Sequence, residues 1–292
     1  MSGIERRGLL RLIGATVAAT GLTQIGPWRA GGSETAASTA TKGRLRRWAM
    51  VIDLRRCDGC QSTGKPPQCT QACIEGHFAP EPMEWIQVYE GPLGAGATGA
   101  TQFLPAPCQQ CQNPPCVNVC PVAATFSTPE GTVLIDQQRC IGCRLCMEAC
   151  PYDRRFFNWG DAPLPPEALF MGYHPEHQTP AIRGTVMKCD FCPDLARAGR
   201  LPYCAQGCPN GAIYYGDLEE DVATNGLEVV KLSKFAADNN AYRLKEELGT
   251  EPRVRYIPGH GELVGRNPRK KGRLPTVWPW QKLVQGATTW KR

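Results

Sequence analysis

Sixteen cysteines constrain this 292-residue chain more than any other feature, because they fall into four groups of four with one recurring spacing. The groups are Cys57, Cys60, Cys69, Cys73; Cys108, Cys111, Cys116, Cys120; Cys140, Cys143, Cys146, Cys150; and Cys189, Cys192, Cys204, Cys208. Each opens with C-x2-C and closes with C-x3-C, and the last three run straight into Pro121, Pro151 and Pro209. Cysteines committed to such a pattern are withdrawn from packing, so the 42% of residues counted as hydrophobic overstates the core. Something besides apolar burial must hold the chain together. With 31 Gly and 26 Pro the chain does not read as a plain helix bundle, and with only 21% charged residues it does not read as disordered. Its length allows about two domains of ~150 residues each.

A short loop with cysteines three apart can wrap thiolates onto three iron corners of a cubane cluster while its backbone N–H groups point at the sulfides. Small residues such as Gly59 and Gly142 let that backbone approach closely. The third group reads C-x2-C-x2-C-x3-C-P, the run for a four-iron cluster in which the fourth cysteine serves the neighbouring run's cluster. The proline then turns the chain away without leaving an N–H unpaired. Tetrahedral zinc sites use two C-x2-C pairs or Cys/His sets and call for neither the third cysteine nor the proline. A disulfide scaffold does not need four copies of one pattern. A c-type haem requires C-x2-C-H, whereas Gln61, Gln112, Arg144 and Pro193 follow the four pairs. Four [4Fe-4S] clusters are therefore expected; a zinc- or disulfide-stabilised structural protein is the alternative of a different class.

An internal repeat supports the expectation. The segment from Ile52 to Cys60 recurs from Ile135 to Cys143 as I-D-x-x-R-C-x-G-C, displaced by 83 residues. Each copy ends an apolar run, Trp48 to Val51 and Thr132 to Leu134, that reads as a short strand feeding a cysteine loop. Residues 124–135 read as a hairpin and residues 212–217 as another strand. The expected fold is α+β: two nested two-cluster ferredoxin-like units with short strands, hairpins and loop insertions. The inner unit covers about 100–160, and the outer about 44–75 plus 183–217, within a domain spanning 43–265.

The net charge of +6 does not point to nucleic acid. Residues 1–48 carry eight basic and two acidic residues, residues 266–292 eight basic and none acidic, and the segment between is acidic with 17 against 25. Phosphate binding needs a basic face on the folded body. At the N-terminus, Arg6-Arg7 precede an apolar stretch from Leu12 to Leu22 and then a polar, small-residue run. Residues 1–42 read as a twin-arginine-type export signal and linker, with Leu9 where Phe is usual. The apolar part is shorter than the ~18 residues of a membrane span. Export through that route implies the periplasmic face of the cytoplasmic membrane. The basic tail 266–292 contains Trp278, Trp280 and Trp290 and has two readings, a solvated or partner-docked tail or an interfacial anchor.

No catalytic constellation accompanies the cysteines. His77 and His260 are scattered, and His174 and His177 sit in a proline-rich loop, Pro163 to Pro180, that reads as an exposed insertion. Gly94, Gly96 and Gly99 satisfy G-x-G-x-x-G, but Phe103, Pro105 and Pro107 follow where a nucleotide-binding helix would begin. Tyr152, Phe156, Phe157 and Trp159 read as packing around the inner clusters.

Residues from about 44 to 257 resemble the four-cluster iron–sulfur subunits of membrane-linked oxidoreductases, the family of dimethyl sulfoxide, polysulfide and tetrathionate reductase electron-transfer subunits. The segments Cys108 to Pro121, Cys140 to Trp159 and Lys188-Cys189-Asp190-Phe191-Cys192 carry the resemblance. It implies four ligand sets: Cys57, Cys60, Cys69 with Cys208; Cys189, Cys192, Cys204 with Cys73; Cys108, Cys111, Cys116 with Cys150; and Cys140, Cys143, Cys146 with Cys120. The departure is the first group, whose Cys60-to-Cys69 interval is widened by Gln61 to Gln68 with Lys65-Pro66-Pro67 inside it. That makes Cys69 the ligand most in question. The resemblance further implies a non-catalytic subunit passing electrons between a catalytic, typically molybdopterin-containing subunit and a quinone-reactive polytopic membrane subunit or a cytochrome. With all sixteen cysteines engaged, no open iron corner is left for a self-contained iron–sulfur enzyme.

Overall fold

The structure is a computed structural model and describes residues 45–92, 101–166 and 170–259. The export-type segment, the Gly94 to Gly99 loop, His260 and the basic tail lie outside the described residues.

Among the described residues eleven short strands are present: β1 (Trp48–Asp53), β2 (Gln87–Pro92), β3 (Thr101–Ala106), β4 (Thr125–Ser127), β5 (Val133–Ile135), β6 (Phe156–Phe157), β7 (Val186–Met187), β8 (Ile213–Asp217), β9 (Val222–Thr224), β10 (Val229–Lys231) and β11 (Val254–Ile257). Six helices are interspersed: α1 (Gln68–His77), α2 (Pro115–Asn118), α3 (Leu145–Glu148), α4 (Pro193–Arg197), α5 (Tyr203–Gln206) and α6 (Leu232–Asp238). The fold is mixed helix and strand. The strands expected before the first and third cysteine groups are β1 and β5, the expected hairpin is β4–β5 with Thr125 opposite Ile135, and the strand after Cys208 is β8.

The largest sheet has the order β10-β9-β8-β1-β11, antiparallel except for the parallel β1–β11 pair. Every residue of β1 is buried, and its period-2 alternation divides the work of the sheet. Trp48, Met50 and Ile52 join a core that contains Cys69, Cys73, Cys189 and Cys204. Ala49 and Val51 face the other way, with Tyr214, Ala223 and Leu232, the last from α6. One face of β1 thus closes over cysteines and the other over a helix. The remaining strands form three separate two-stranded pairs, β2–β3, β4–β5 and β6–β7.

The sequence repeat has a structural counterpart. Asp53 Oδ1 accepts the Arg55 N–H and Asp136 Oδ1 the Gln138 N–H, each at 3.0 Å. Asp53 N–H donates to the Ala212 carbonyl and Asp136 N–H to the Ala124 carbonyl, each at 2.8 Å. Each aspartate therefore ends its strand in the same turn and delivers the chain into a C-x2-C loop.

Candidate metal centre

The residue before the second cysteine is left-handed in all four C-x2-C loops: Gly59 at φ 64°, Gln110 at 46°, Gly142 at 69° and Phe191 at 74°. That kink turns successive backbone N–H groups inward, the concavity that suits an anion. Glycine is needed at two of these points. A Cβ on Gly59 would lie 2.3 Å from the Phe103 ring, and one on Gly142 2.3 Å from the Gly184 carbonyl oxygen. Gln110 and Phe191 adopt the conformation against their intrinsic preference, and burial holds them. The Gln110 amide donates to the Cys189 carbonyl at 2.9 Å and accepts the Val133 N–H at 2.7 Å. In the first and last groups the intervening aspartate closes the loop: Asp58 Oδ1 accepts the Cys60 N–H at 2.9 Å, and Asp190 Oδ1 the Cys192 N–H at 2.8 Å.

Helices distribute the other cysteines. Cys69, Cys73 and His77 recur every four residues along α1 and share its buried face. Cys204 on α5 is followed four residues later by Cys208, and α5 packs on α1 closely enough that a Cβ on Gly76 would meet the Tyr203 ring at 2.5 Å. Cys116 on α2 and Cys146 on α3 are followed at the same interval by Cys120 and Cys150.

Electrostatic neighbours show which cysteines come together. Burial, reinforced by the charges of Cys208 and Cys60, pushes the Cys57 thiol up to about 11, and burial with Cys208, Cys57 and Cys60 pushes Cys69 up to about 12. These four line one small cavity with Gly59 and Pro67. Cys69 therefore shares a cavity with Cys57, Cys60 and Cys208 across the widened interval, whose extra residues form a short exposed excursion around Gln61–Thr63. Cys73, Cys192 and Cys204 are driven well above the ordinary thiol value by complete burial and by one another and Cys189. Burial likewise takes Cys111 up to about 12, with Cys108, Cys116 and Cys150 as its charged neighbours. Cys146 is raised by burial and by Cys116 and Cys140, and it shares an apolar cluster with Cys120 and Cys140. Cys143 stands at the rim, the one exposed cysteine of the sixteen.

The groups also lie within electrostatic reach of one another in series. Cys204 and Cys73 feel the charge of Cys69, Cys189 that of Cys108, and Cys146 that of Cys116.

Thiols packed this way hold their protons, and only a strong cation reverses that. The surroundings fit a metal core carrying negative charge. Backbone N–H groups approach sulfur from Gln68 to Cys60 (3.4 Å), Ala212 to Cys208 (3.3 Å) and Val186 to Cys140 (3.5 Å). Cys120 alone is lowered, because donors from Thr125, Val122 and Ala124 outweigh its burial. The buried Arg155 has an Nη2 with no oxygen or nitrogen partner and a charge that faces Cys116, Cys146 and Cys108.

Two side chains near the cysteines are not singled out by sequence. His77 Nε2 lies 3.4 Å from Cys192 Sγ, and its Nδ1 lies 3.5 Å from Asp190 Oδ2, all within the core. The four-residue spacing after Cys69 and Cys73 is the available signal for His77. By contrast, His174 is largely exposed in the proline-rich loop, its ring 5.7 Å from that of His177. Phe157 packs as expected, but Trp159 remains 65% exposed, its ring 4.4 Å from that of Phe157 with the Arg144 guanidinium lying over both.

Comparison with known proteins places a 4Fe-4S dicluster domain at residues 100–164. The chain is similar to a subunit of the selenate reductase of Mesobacillus selenatarsenatis, 36% identical over 72% of each chain. It is 38% identical to the iron–sulfur cluster-binding subunit of menaquinone reductase of Nitratidesulfovibrio vulgaris, over 72% of this chain and 88% of that one. It is 35% identical to a putative dimethyl sulfoxide reductase iron–sulfur subunit of Halobacterium salinarum, over 79% of this chain and 85% of that one.

Proposed function

We propose, from the premise that this chain belongs to the family of iron–sulfur electron-transfer subunits of oxidoreductase complexes, that its sixteen cysteines hold four [4Fe-4S] clusters in a row. The ligand sets are Cys57, Cys60, Cys69, Cys208; Cys73, Cys189, Cys192, Cys204; Cys108, Cys111, Cys116, Cys150; and Cys120, Cys140, Cys143, Cys146. The first two form the outer ferredoxin-like unit and the last two the inner one. The serial electrostatic neighbours Cys69 and Cys204, Cys189 and Cys108, and Cys116 and Cys146 carry this reading, since each set lies near enough to feel the charge of the next. Bound clusters supply one-electron carriage at potentials set by hydrogen bonds, charge and solvent exposure. The protein's own part is to keep the second set dry, to aim N–H groups at sulfur, and to leave the two ends of the row nearer the surface.

The last set opens onto an apolar rim. Ile141 is 64% exposed and Leu145 50%, beside exposed Cys143. Exposed apolar side chains beside an electron donor suit a docked redox protein. The partners we assign are a catalytic subunit of the molybdopterin type and a quinone-reactive membrane subunit or cytochrome. Export by the Arg6-Arg7 signal would place the subunit on the periplasmic face.

Anaerobic purification tests the reading directly: about sixteen iron atoms and as many acid-labile sulfides per chain are expected. Stoichiometric zinc without sulfide would overturn it. Replacing Arg6 and Arg7 with Lys should strand the protein in the cytoplasm, and undiminished export would overturn the assignment of the signal.

A further inference from the structure

We infer that His77 is a positioning residue for electron transfer: it donates a hydrogen bond from Nε2 to the Cys192 sulfur and thereby raises the potential of the cluster in the second set. The inference rests on the reading that Cys192 is a cluster ligand. His77 is 3% exposed, at the C-terminal end of α1, and its ring is held by three contacts. Trp85 lies against it with ring centroids 4.6 Å apart, Tyr203 meets it edge-on at 5.2 Å, and Asp190 Oδ2 stands 3.5 Å from Nδ1. The imidazole cannot turn away from Cys192 Sγ, 3.4 Å from Nε2.

The donor role follows from the chemistry of the acceptor. A metal-bound cysteine sulfur carries no proton, so the nitrogen facing it must supply one. At the other end of the ring, Asp190 Oδ2 stands 3.5 Å from Nδ1 and has no hydrogen-bond partner among the described residues. Asp190 Oδ1 is already occupied by the Cys192 N–H at 2.8 Å. Oδ2 flanks the ring on the side away from the sulfur, the position from which a carboxylate orients a histidine beside a metal site. Asp190 is itself fully buried, two residues from Cys192 on the same loop. His77 and Cys192 are 115 residues apart in sequence, so the contact is built by the packing of α1 on that loop and by nothing local.

Where N–H groups approach the other sulfurs they are mostly backbone donors, which no substitution of side chain removes. His77 is a side-chain donor at the most deeply buried set, all four of whose cysteines are buried. A hydrogen bond to a ligand sulfur favours the more electron-rich, reduced state, and low dielectric magnifies the effect.

The test is a potentiometric titration, followed by electron paramagnetic resonance, of the full chain in its complex as wild type, His77→Phe and His77→Gln. The phenylalanine keeps the ring packing and removes the donor. The glutamine places an amide N–H where imidazole Nε2 stood. With iron content held at about sixteen per chain, His77→Phe should lower one of the four midpoint potentials and leave three unchanged, while His77→Gln should restore much of the difference. Four unchanged potentials in iron-replete His77→Phe overturn the inference, as does an equal shift in both variants, which would mark a packing role. Should His77→Phe fail to assemble, wild-type protein labelled with 15N-histidine decides the matter. A single weak nitrogen coupling to a reduced cluster supports the inference, and its absence overturns it. A wild-type chain lacking iron and sulfide would instead overturn the cluster reading, so the two failures are distinguishable.

Discussion

Arg155 Nη1 donates to the Thr125 hydroxyl at 3.1 Å, and the charge of the same buried guanidinium faces Cys116 and Cys146. One buried cation therefore serves the junction between the third and fourth cysteine sets, tied to β4 by a neutral hydroxyl. With clusters bound, it is the counter-charge for thiolates on both sides. Removing one partner of such a buried arrangement costs about 3–5 kcal/mol. Arg155→Met should lower the denaturant midpoint of the iron-loaded protein accordingly and release iron from the inner unit first. Arg155→Lys, which keeps the charge and loses the fork, should fall between. Unfolding of Arg155→Met at the wild-type midpoint, followed by absorbance near 400 nm, would refute the assignment.

Glycine at position 142 is demanded twice, by φ 69° and by the Gly184 carbonyl 2.3 Å from any added Cβ. Gly64 shares the left-handed conformation, φ 64°, yet has open space around it. Comparing Gly64→Ala with Gly142→Ala separates conformational strain from collision. The strain alone is worth about 1–2 kcal/mol, which Gly64→Ala should show in an anaerobic thermal melt with full iron content. Gly142→Ala should be destabilised further and lose iron, because the obstructing atom is backbone and cannot rotate aside. Equal behaviour of the two variants would show that the close approach at Gly142 is dispensable.

How far the cysteine loops can be read from sequence follows from their locality. Spacing within each group is imposed by the size of the object being wrapped, so the loops, β1, β5, the β4–β5 hairpin and β8 are all visible in short stretches of sequence. Pairing across distance is not. β11 lies parallel to β1 with Met50 opposite Val254, and nothing near Met50 records that. The same holds for the 218–257 segment, whose β9 and β10 extend the large sheet and whose α6 packs on it, beyond the expected outer unit. Phe191 takes the left-handed position that glycine marks in the first and third groups, so residue type gives no sign of it. His77 meets Cys192 only after α1 has docked, and a lone histidine in sequence carries no such information.

Arg197 ties two distant segments together. Its guanidinium bonds Glu130 on the β4–β5 hairpin at 2.9 and 3.1 Å and Glu176 in the proline-rich loop at 2.8 Å through two nitrogens. The hydrogen bond from Arg197 is the main reason that Glu176 sits below the usual carboxylate range, against a smaller opposing effect of burial. A carboxylate lowered in the folded state contributes stability that is complete above its unfolded pKa of about 4.3 and fades as pH falls through the lower folded value. At neutral pH the contribution is therefore intact. The arginine is 41% exposed, so about 1 kcal/mol is the appropriate scale. Arg197→Ala should accelerate proteolytic cleavage within residues 161–180 at pH 7 while leaving iron content unchanged. Cleavage at the wild-type rate would show that the fork does not hold the loop.

Cys150 follows Cys146 by one helical turn, and its N–H bonds the Met147 carbonyl at 3.2 Å. Burial raises the Cys150 thiol, with Cys108 and Cys116 as charged neighbours, whereas Cys146 faces Cys140 as well as Cys116. The single turn of chain from Cys146 on α3 to Cys150 just past its end thus faces two sets, so a defect at either cysteine is transmitted through a backbone too short to absorb it. Cys150→Ser should remove the third set's iron, bringing the total from about sixteen to about twelve or fewer. It should also change the paramagnetic signal of the fourth set, which retains all its own ligands. Cys57→Ser is the control, since Cys57 lies on the first C-x2-C loop, away from any shared helix; its loss should leave the inner signals untouched. An unaltered fourth-set signal in Cys150→Ser would mean that the two sets are mechanically independent despite the shared turn.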